Sequence, residues 1–321
     1  MSWTVRAYRD GDEHKICALL AHVFAVDYPV DLYRHTFLQN PAGASSIVVA
    51  EAPDGEIVGH LAGYSVESCQ HQKRRTLLHG GNTVIHPKYR SYQNGRYLFQ
   101  DLVAVFNDEI SATQKMVYGL PNSILLRSGQ GTLAEQELVN LGELEYQVRT
   151  LGSPPQDSPD IQLEPVSSLA AESIVSGIPA RAVQLHKDQS YLAWRYERPT
   201  KTYFPLKVFR RGEAIGLLVI GEYFASQRCV AVAEWLLPEM DLANFQQILA
   251  AVEALAQNHG IPTLLFAFPP RSREHQHLAA SGYQHEKSGL TLCAWTSDPA
   301  LQPQAQLLAE WFYTLGDFDL I

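Results

Sequence analysis

Basic and amide side chains bracket a single glycine in "HPKYRSYQNGRYLFQDL", His86 to Leu102, and an apolar run at helical spacing follows them. That combination suits an anion. Unpaired N–H groups at a helix entrance and the helix dipole attract negative charge. A glycine lets the backbone approach a phosphate with no Cβ in the way, and Arg90 and Arg96 can add guanidinium contacts to the phosphate oxygens.

Other chemistries are poorly supplied. Cys17, Cys69, Cys229 and Cys293 lie far apart with no CxxC pair, which argues against a zinc ribbon, a redox pair or a disulfide framework. The twelve histidines never form HExxH, and His71, His275 and His277 fall in polar, loop-like stretches, so no metal is expected. A formal charge of −9 and a pI near 5.7 disfavour a nucleic-acid surface. The basic cluster "HQKRR", His71 to Arg75, reads as the tip of a hairpin. No apolar run approaches the ~20 residues of a membrane span, and the charged start lacks a secretory signal. A reducing cytoplasm is the expected location, with no membrane partner; nothing in the sequence fixes the oligomeric state.

The elements that must position the opening stretch occur twice. "GEIVG" (Gly55 to Gly59) returns as "GEAIG" (Gly212 to Gly216), "FQDLVAVFNDEI" (Phe99 to Ile110) as "FQQILAAVEALA" (Phe245 to Ala256), and "MVYGLP" (Met116 to Pro121) as "LLFAFP" (Leu264 to Pro269). Three matches in one order, with a looser fourth between "HTFLQNP" and "WRYERP", predict a duplication. The proline-rich "LGSPPQDSPDIQLEP" between the copies reads as a linker. The expected organisation is therefore a first domain over 1–150, a linker over 151–165 and a second domain over 166–321. Each copy opens with a strand and a helix; in the first, Asp10 or Asp12 is the expected cap. Where the first copy has "NTVIHPKYRSYQNGRYLF", the second has the shorter, acidic "AEWLLPEMDLANF" without glycine. Any phosphate site belongs to the first copy.

This order of elements resembles the GCN5-related N-acetyltransferase (GNAT) superfamily, and the whole chain is similar to its two-domain members. The supporting stretches are "RAYRDGDE", "FLQNP", "GEIVGH", "NTVIHPKYR" with "GRYLFQDLV", and "VYGLPN", joined in the second half by "YLAWRYERP" and "EWFYTLGDFDLI". The resemblance implies an α/β (α+β) chain of tandem acyl-CoA N-acyltransferase folds. Each is a mixed, largely antiparallel sheet flanked by helices, and the second lacks the pyrophosphate loop.

The resemblance further implies acetyl-CoA, or a related acyl-CoA, as co-substrate. Its diphosphate would meet the loop residues Arg90, Gln93, Asn94, Gly95, Arg96 and Tyr97. The loop departs from the family's glycine pattern: in one register Tyr97 takes the essential glycine's place and "SYQN" is inserted; in the other Gly95 is that glycine and Tyr97 takes the small position. Backbone N–H groups over Thr83, Val84 and Ile85 would face the thioester carbonyl, and Asn122 would contact the coenzyme. The usual fourth-strand carboxylate is absent from "LLHGGNTVI", which leaves His79 as the candidate base, with His60 and Glu67 as competitors. The usual tyrosine after the fifth strand is also absent, which leaves Tyr118 as the candidate acid. Trp194, Tyr196, Trp235 and Trp311 are expected to be packing residues, and Asp317 and Asp319 to be either solvated or partners for a cationic amine.

The implied activity is acetyl transfer to an amine of a small molecule. The alternatives are a non-catalytic binding or scaffolding protein and an aminoacyl-tRNA-dependent transferase. The acidic chain disfavours the latter.

Overall fold

The computed structural model describes residues 2–92, 97–113, 115–121, 138–152, 160–169, 181–198, 203–224, 228–296, 298–301, 306 and 308–318. They divide into two compact units: Met1–Ser68, Arg74–Gly142 and Leu290–Ala309 make the first, and Cys69–Lys73, Glu143–Gly289 and Glu310–Ile321 the second.

In the first half of the chain come β1 (Thr4–Ala7), α1 (Asp12–Phe24), α2 (Val30–Tyr33), β2 (Ser46–Glu51), β3 (Ile57–Gln70), β4 (Lys73–Ile85), α3 (Leu98–Ala112), β5 (Met116–Gly119) and β6 (Val139–Thr150). The second half gives β7 (Ile161–Pro165), β8 (Val183–Leu185), α4 (Gln189–Tyr196), β9 (Tyr203–Arg210), β10 (Glu213–Phe224), β11 (Arg228–Leu236), α5 (Leu242–Asn258), β12 (Thr263–Phe266), α6 (Arg273–Ala280) and β13 (Gln284–Trp295).

The predicted duplication is visible in the pairing. The first unit orders its strands β1-β2-β3-β4-β5 and the second β7-β9-β10-β11-β12. In each, one pair is parallel, β4 with β5 and β11 with β12, joined by the crossover helix that parallel neighbours need. The repeated "GE" turns also agree in conformation: Gly55 has φ 83 and Gly212 φ 82, a left-handed state that glycine adopts without strain.

The last strands follow a different rule from the sequence copies. β5 pairs on its far side with Cys293–Trp295 of β13, and β12 pairs with Gln147–Thr150 of β6. Each unit therefore contains a strand contributed by the other half of the chain, and neither unit matches the expected span 1–150 or 166–321. The expected linker 151–165 ends in β7, which pairs with β9 from Ile161↔Arg210 to Pro165↔Leu206. β7 is the edge strand of its unit, a position where a proline removes no needed donor.

Helical spacing on α3 and α5 sets the two cores. α3 buries Leu98, Leu102, Val103, Phe106 and Ile110 against Val48, Leu61, Leu78 and Val117. α5 buries Phe245, Ile248, Leu249 and Val252 against Leu218, Val230, Trp235 and Leu264. Trp194, Tyr196, Trp235 and Trp311 are all buried, as packing residues should be. The basic cluster does tip a hairpin, with His71 and Gln72 both at positive φ as a tight two-residue turn requires. Gly11, rather than Asp10 or Asp12, precedes α1; Asp12 lies in the first turn and binds Arg6 at 2.6 Å.

The second unit encloses a charged cluster. Lys187 Nζ donates to Glu234 Oε2 at 2.6 Å and Thr314 Oγ1 at 2.9 Å and pairs with Asp317, while Tyr196 donates to Glu234 Oε1 at 2.5 Å. Asp317 is therefore not solvated: its cationic partner is the chain's own lysine. Asp319 lies outside the described residues. Burial pulls the Lys187 ammonium down, but Asp317 and Glu234 outweigh it and leave the lysine above its ordinary value. One cation faces two carboxylates. Burial pushes Asp317 up to about 6, with Lys187 opposing and Glu234 adding to the shift. A raised carboxyl pKa contributes stability that is full below the unfolded value of 3.8 and is lost as pH rises through about 6. Urea unfolding of Asp317→Asn and wild type across pH 4–7 should show this loss in the wild type alone; parallel pH dependences would contradict it.

Candidate active site

A cavity of about 220 Å³ opens in the first unit where β4 and β5 part company. The strands pair in register down to His79↔Tyr118. Beyond that point Gly80, Gly81, Asn82 and Thr83 line one side and Gly119, Leu120 and Pro121 the other, with Phe24, Leu61, Ala62, Phe106 and Trp295 completing the wall.

The strands stay close at the first glycine pair and part beyond it. Gly80 and Gly119 approach so closely that a Cβ on Gly119 would lie 3.1 Å from the Gly80 carbonyl oxygen, and a Cβ on Gly80 would lie 3.3 Å from Trp295. Asn82 has φ 53, a left-handed state uncommon for a non-glycine residue and tolerated best by Asn and Asp. Such a residue turns its flanking peptide planes out of the regular ladder. Pro121 has no N–H to offer a neighbouring strand.

Asn82 is held from both ends. Its carbonyl accepts from His60 Nδ1 at 2.7 Å, and its amide Nδ2 donates to the Tyr28 hydroxyl at 2.6 Å. His60 is fully buried, and Tyr33 OH lies 3.0 Å from its Nε2. Burial lowers the His60 pKa to about 4, with the Asn82 carbonyl working the other way. The ring is therefore neutral near pH 7: Nδ1–H donates to Asn82, and Nε2 accepts from Tyr33. This histidine positions the strand and has no lone pair left for a substrate proton. Replacing Asn82 by alanine should cost about 2 kcal/mol, combining left-handed strain and a lost part-buried hydrogen bond. Asn82→Gly, which relaxes the backbone, should cost less; equal urea midpoints for the two would refute the strain argument.

The remaining sequence candidates fall at various distances from this cavity. Thr83 lines it, Val84 beside it is buried, and Ile85 packs partly against the first unit's core while its carbonyl accepts from Arg90 Nε at 3.0 Å. His79 lies on the same face of β4 as Gly81, whose Cβ would stand 3.9 Å from His79 Nδ1. Its ring centroid is 4.8 Å from that of Tyr64 and 4.9 Å from that of Tyr118. Tyr118 is buried, and neither it nor His79 is among the lining residues. Glu67 is paired with Arg74 at 3.2 Å. Gln93, Asn94, Gly95, Arg96 and Asn122 lie outside the described residues.

Tyr97 precedes α3 with no side-chain cap bond, and its ring packs 5.0 Å from Tyr92. Both rings are exposed, and neither enters the cavity. Two contributors were not anticipated: Asn82 as the left-handed pivot and Trp295 as a wall. Only the presence of Asn inside a strand-like run hinted at the first. No local signal could indicate the second, because β13 reaches β5 from the far end of the sequence.

No family model and no curated protein matches the chain. Solved structures do. A GCN5-related N-acetyltransferase from Anabaena variabilis matches with a TM-score of 0.62 at 13% identity, covering 92% of this chain and 73% of that one. One from Kribbella flavida matches with 0.62 at 13%, covering 93% and 73%. Saccharomyces cerevisiae N-myristoyltransferase with bound myristoyl-CoA matches with 0.61 at 8%, covering 92% and 82%.

Proposed function

We propose that this chain, which has the fold of the GCN5-related N-acetyltransferases, is an N-acyltransferase that moves a short acyl group from coenzyme A to an amine of a small molecule. The observation that carries the reading is the parted parallel pair: a glycine-lined cleft between β4 and β5, open at the C-terminal ends of both strands. Ligands of open α/β sheets bind at such ends. A volume of about 220 Å³ accommodates a thioester and a short acyl chain and is below the range of pockets that enclose drug-sized ligands.

In the proposed reaction an amine gives up a proton, attacks the thioester carbonyl and forms an amide as the carbon–sulfur bond breaks. The sulfur leaves as a thiolate and is protonated. Backbone N–H groups along Thr83, Val84 and Ile85 would stabilise the oxyanion without reorganising. His79, on the same face of β4 as Gly81, is the proposed base, acting directly or through water, and Tyr118 in contact with its ring is the proposed acid. The diphosphate would lie ahead of α3, near Arg90 and Tyr97. Thiol release from acetyl-CoA across a panel of small amines tests this; saturable turnover with at least one amine is expected. A second reading, binding without catalysis, is favoured by one observation: none of the cavity-lining residues is ionisable. Coenzyme binding with no thiol release from any amine would support that reading instead.

A further inference from the structure

Two imidazoles and a carboxylate converge in the second unit, outside the cleft and independently of any acyl transfer. Glu145 on β6, His275 in the first turn of α6 and His285 on β13 offer ligand atoms that all lie within 4.8 Å of one another. The two rings are 4.3 Å apart, centroid to centroid. His275 is half-buried and His285 exposed, with the Glu145 carboxylate beside them.

We propose that Glu145, His275 and His285 bind one divalent transition-metal ion of the zinc type. Two imidazoles and a carboxylate are the donors that zinc, cobalt and nickel favour; magnesium and calcium prefer all-oxygen sets. Tetrahedral coordination at zinc bond lengths spaces ligand atoms about 3.3 Å apart. Closure from the present spacing requires the three side chains to rotate toward one another. The fourth position opens to solvent at His285 and takes water.

The surroundings are built to aim the ligands. Gln147, fully buried, shares a face of β6 with Glu145. Its Oε1 accepts from the Phe268 N–H at 2.9 Å, and its Nε2 donates to the Glu145 carbonyl at 3.2 Å and lies 3.2 Å from His275 Nδ1. The Phe268 carbonyl accepts from Gln147 Nε2 at 3.4 Å. Nδ1 faces the Gln147 amide, and coordination through Nε2 would place the ring proton on Nδ1. The Ser272 side chain accepts from the His275 N–H at 3.1 Å and fixes the helical turn that carries the ligand. A bound ion would tie β6, α6 and β13 together within the unit.

The test is a titration of the tag-free, chelator-treated full chain with Co²⁺ followed by visible absorption, and with Zn²⁺ by calorimetry. One equivalent should bind at micromolar concentration or tighter. Intense visible bands from tetrahedral cobalt should appear, and the thermal midpoint should rise. His275→Ala and His285→Ala should each weaken binding by about 100-fold or more, beyond the cost of outer-shell changes. Glu145→Gln tests the carboxylate with little change of shape and should also weaken it. Folded wild type that takes up no Zn²⁺ at millimolar concentration would overturn the proposal, as would variants that bind like wild type.

Discussion

Glutamine at His79 is expected to lower kcat for acyl transfer by about 10²- to 10⁴-fold, the usual range for losing a general base. Acyl-CoA affinity should change little, because the cleft walls are other residues. The expectation follows from elimination among the candidates the sequence offers. The lining residues carry no ionisable group, and His60 has both ring nitrogens engaged by Asn82 and Tyr33. Glu67 is held by Arg74. His79 remains, on the same face of β4 as Gly81 and packed between Tyr64 and Tyr118. Its removal should also erase the acidic limb of the kcat–pH profile, which a purely structural histidine would leave in place. If His79→Gln retains wild-type kcat, the proton leaves by another route.

Lys187→Ala should destabilise the chain by about 3–5 kcal/mol near neutral pH, the cost of stranding buried carboxylates without their cation. Glu234 and Asp317 are each almost wholly inaccessible, and both pair with this ammonium. Adding Glu234→Gln to the variant should recover part of the loss, because one fewer negative charge is then buried. The loss should be larger above pH 6, where Asp317 is ionised, than below it. Urea unfolding of the single and double variants at two pH values measures both effects. A Lys187→Ala midpoint equal to wild type at pH 7 would show that water reaches the cluster.

Periodicity and the repeated glycine turns made the duplication and both crossover helices readable in the sequence. Phe245, Ile248, Leu249 and Val252 occupy the core face that their spacing predicts. The strand exchange was not readable. β6 and β13 follow equivalent elements in the two copies, and each would satisfy either neighbour, so partner choice is a tertiary matter that local pattern cannot encode. The same limit concealed Trp295 and the pairing of Lys187 with Asp317, whose partners are distant in the chain. Gly80, Gly81 and His79 were legible as residues of the right strand, but that Gly80 faces Trp295 while Gly81 and His79 share the other face emerges only when the pleat is assigned to faces.

The claim on which the functional account depends is that the opening between β4 and β5 receives an acyl-CoA. Calorimetric titration of the folded chain with acetyl-CoA measures this most directly. The account predicts saturable heat with one site per chain. No heat at millimolar acetyl-CoA, in protein shown to be folded, would contradict it.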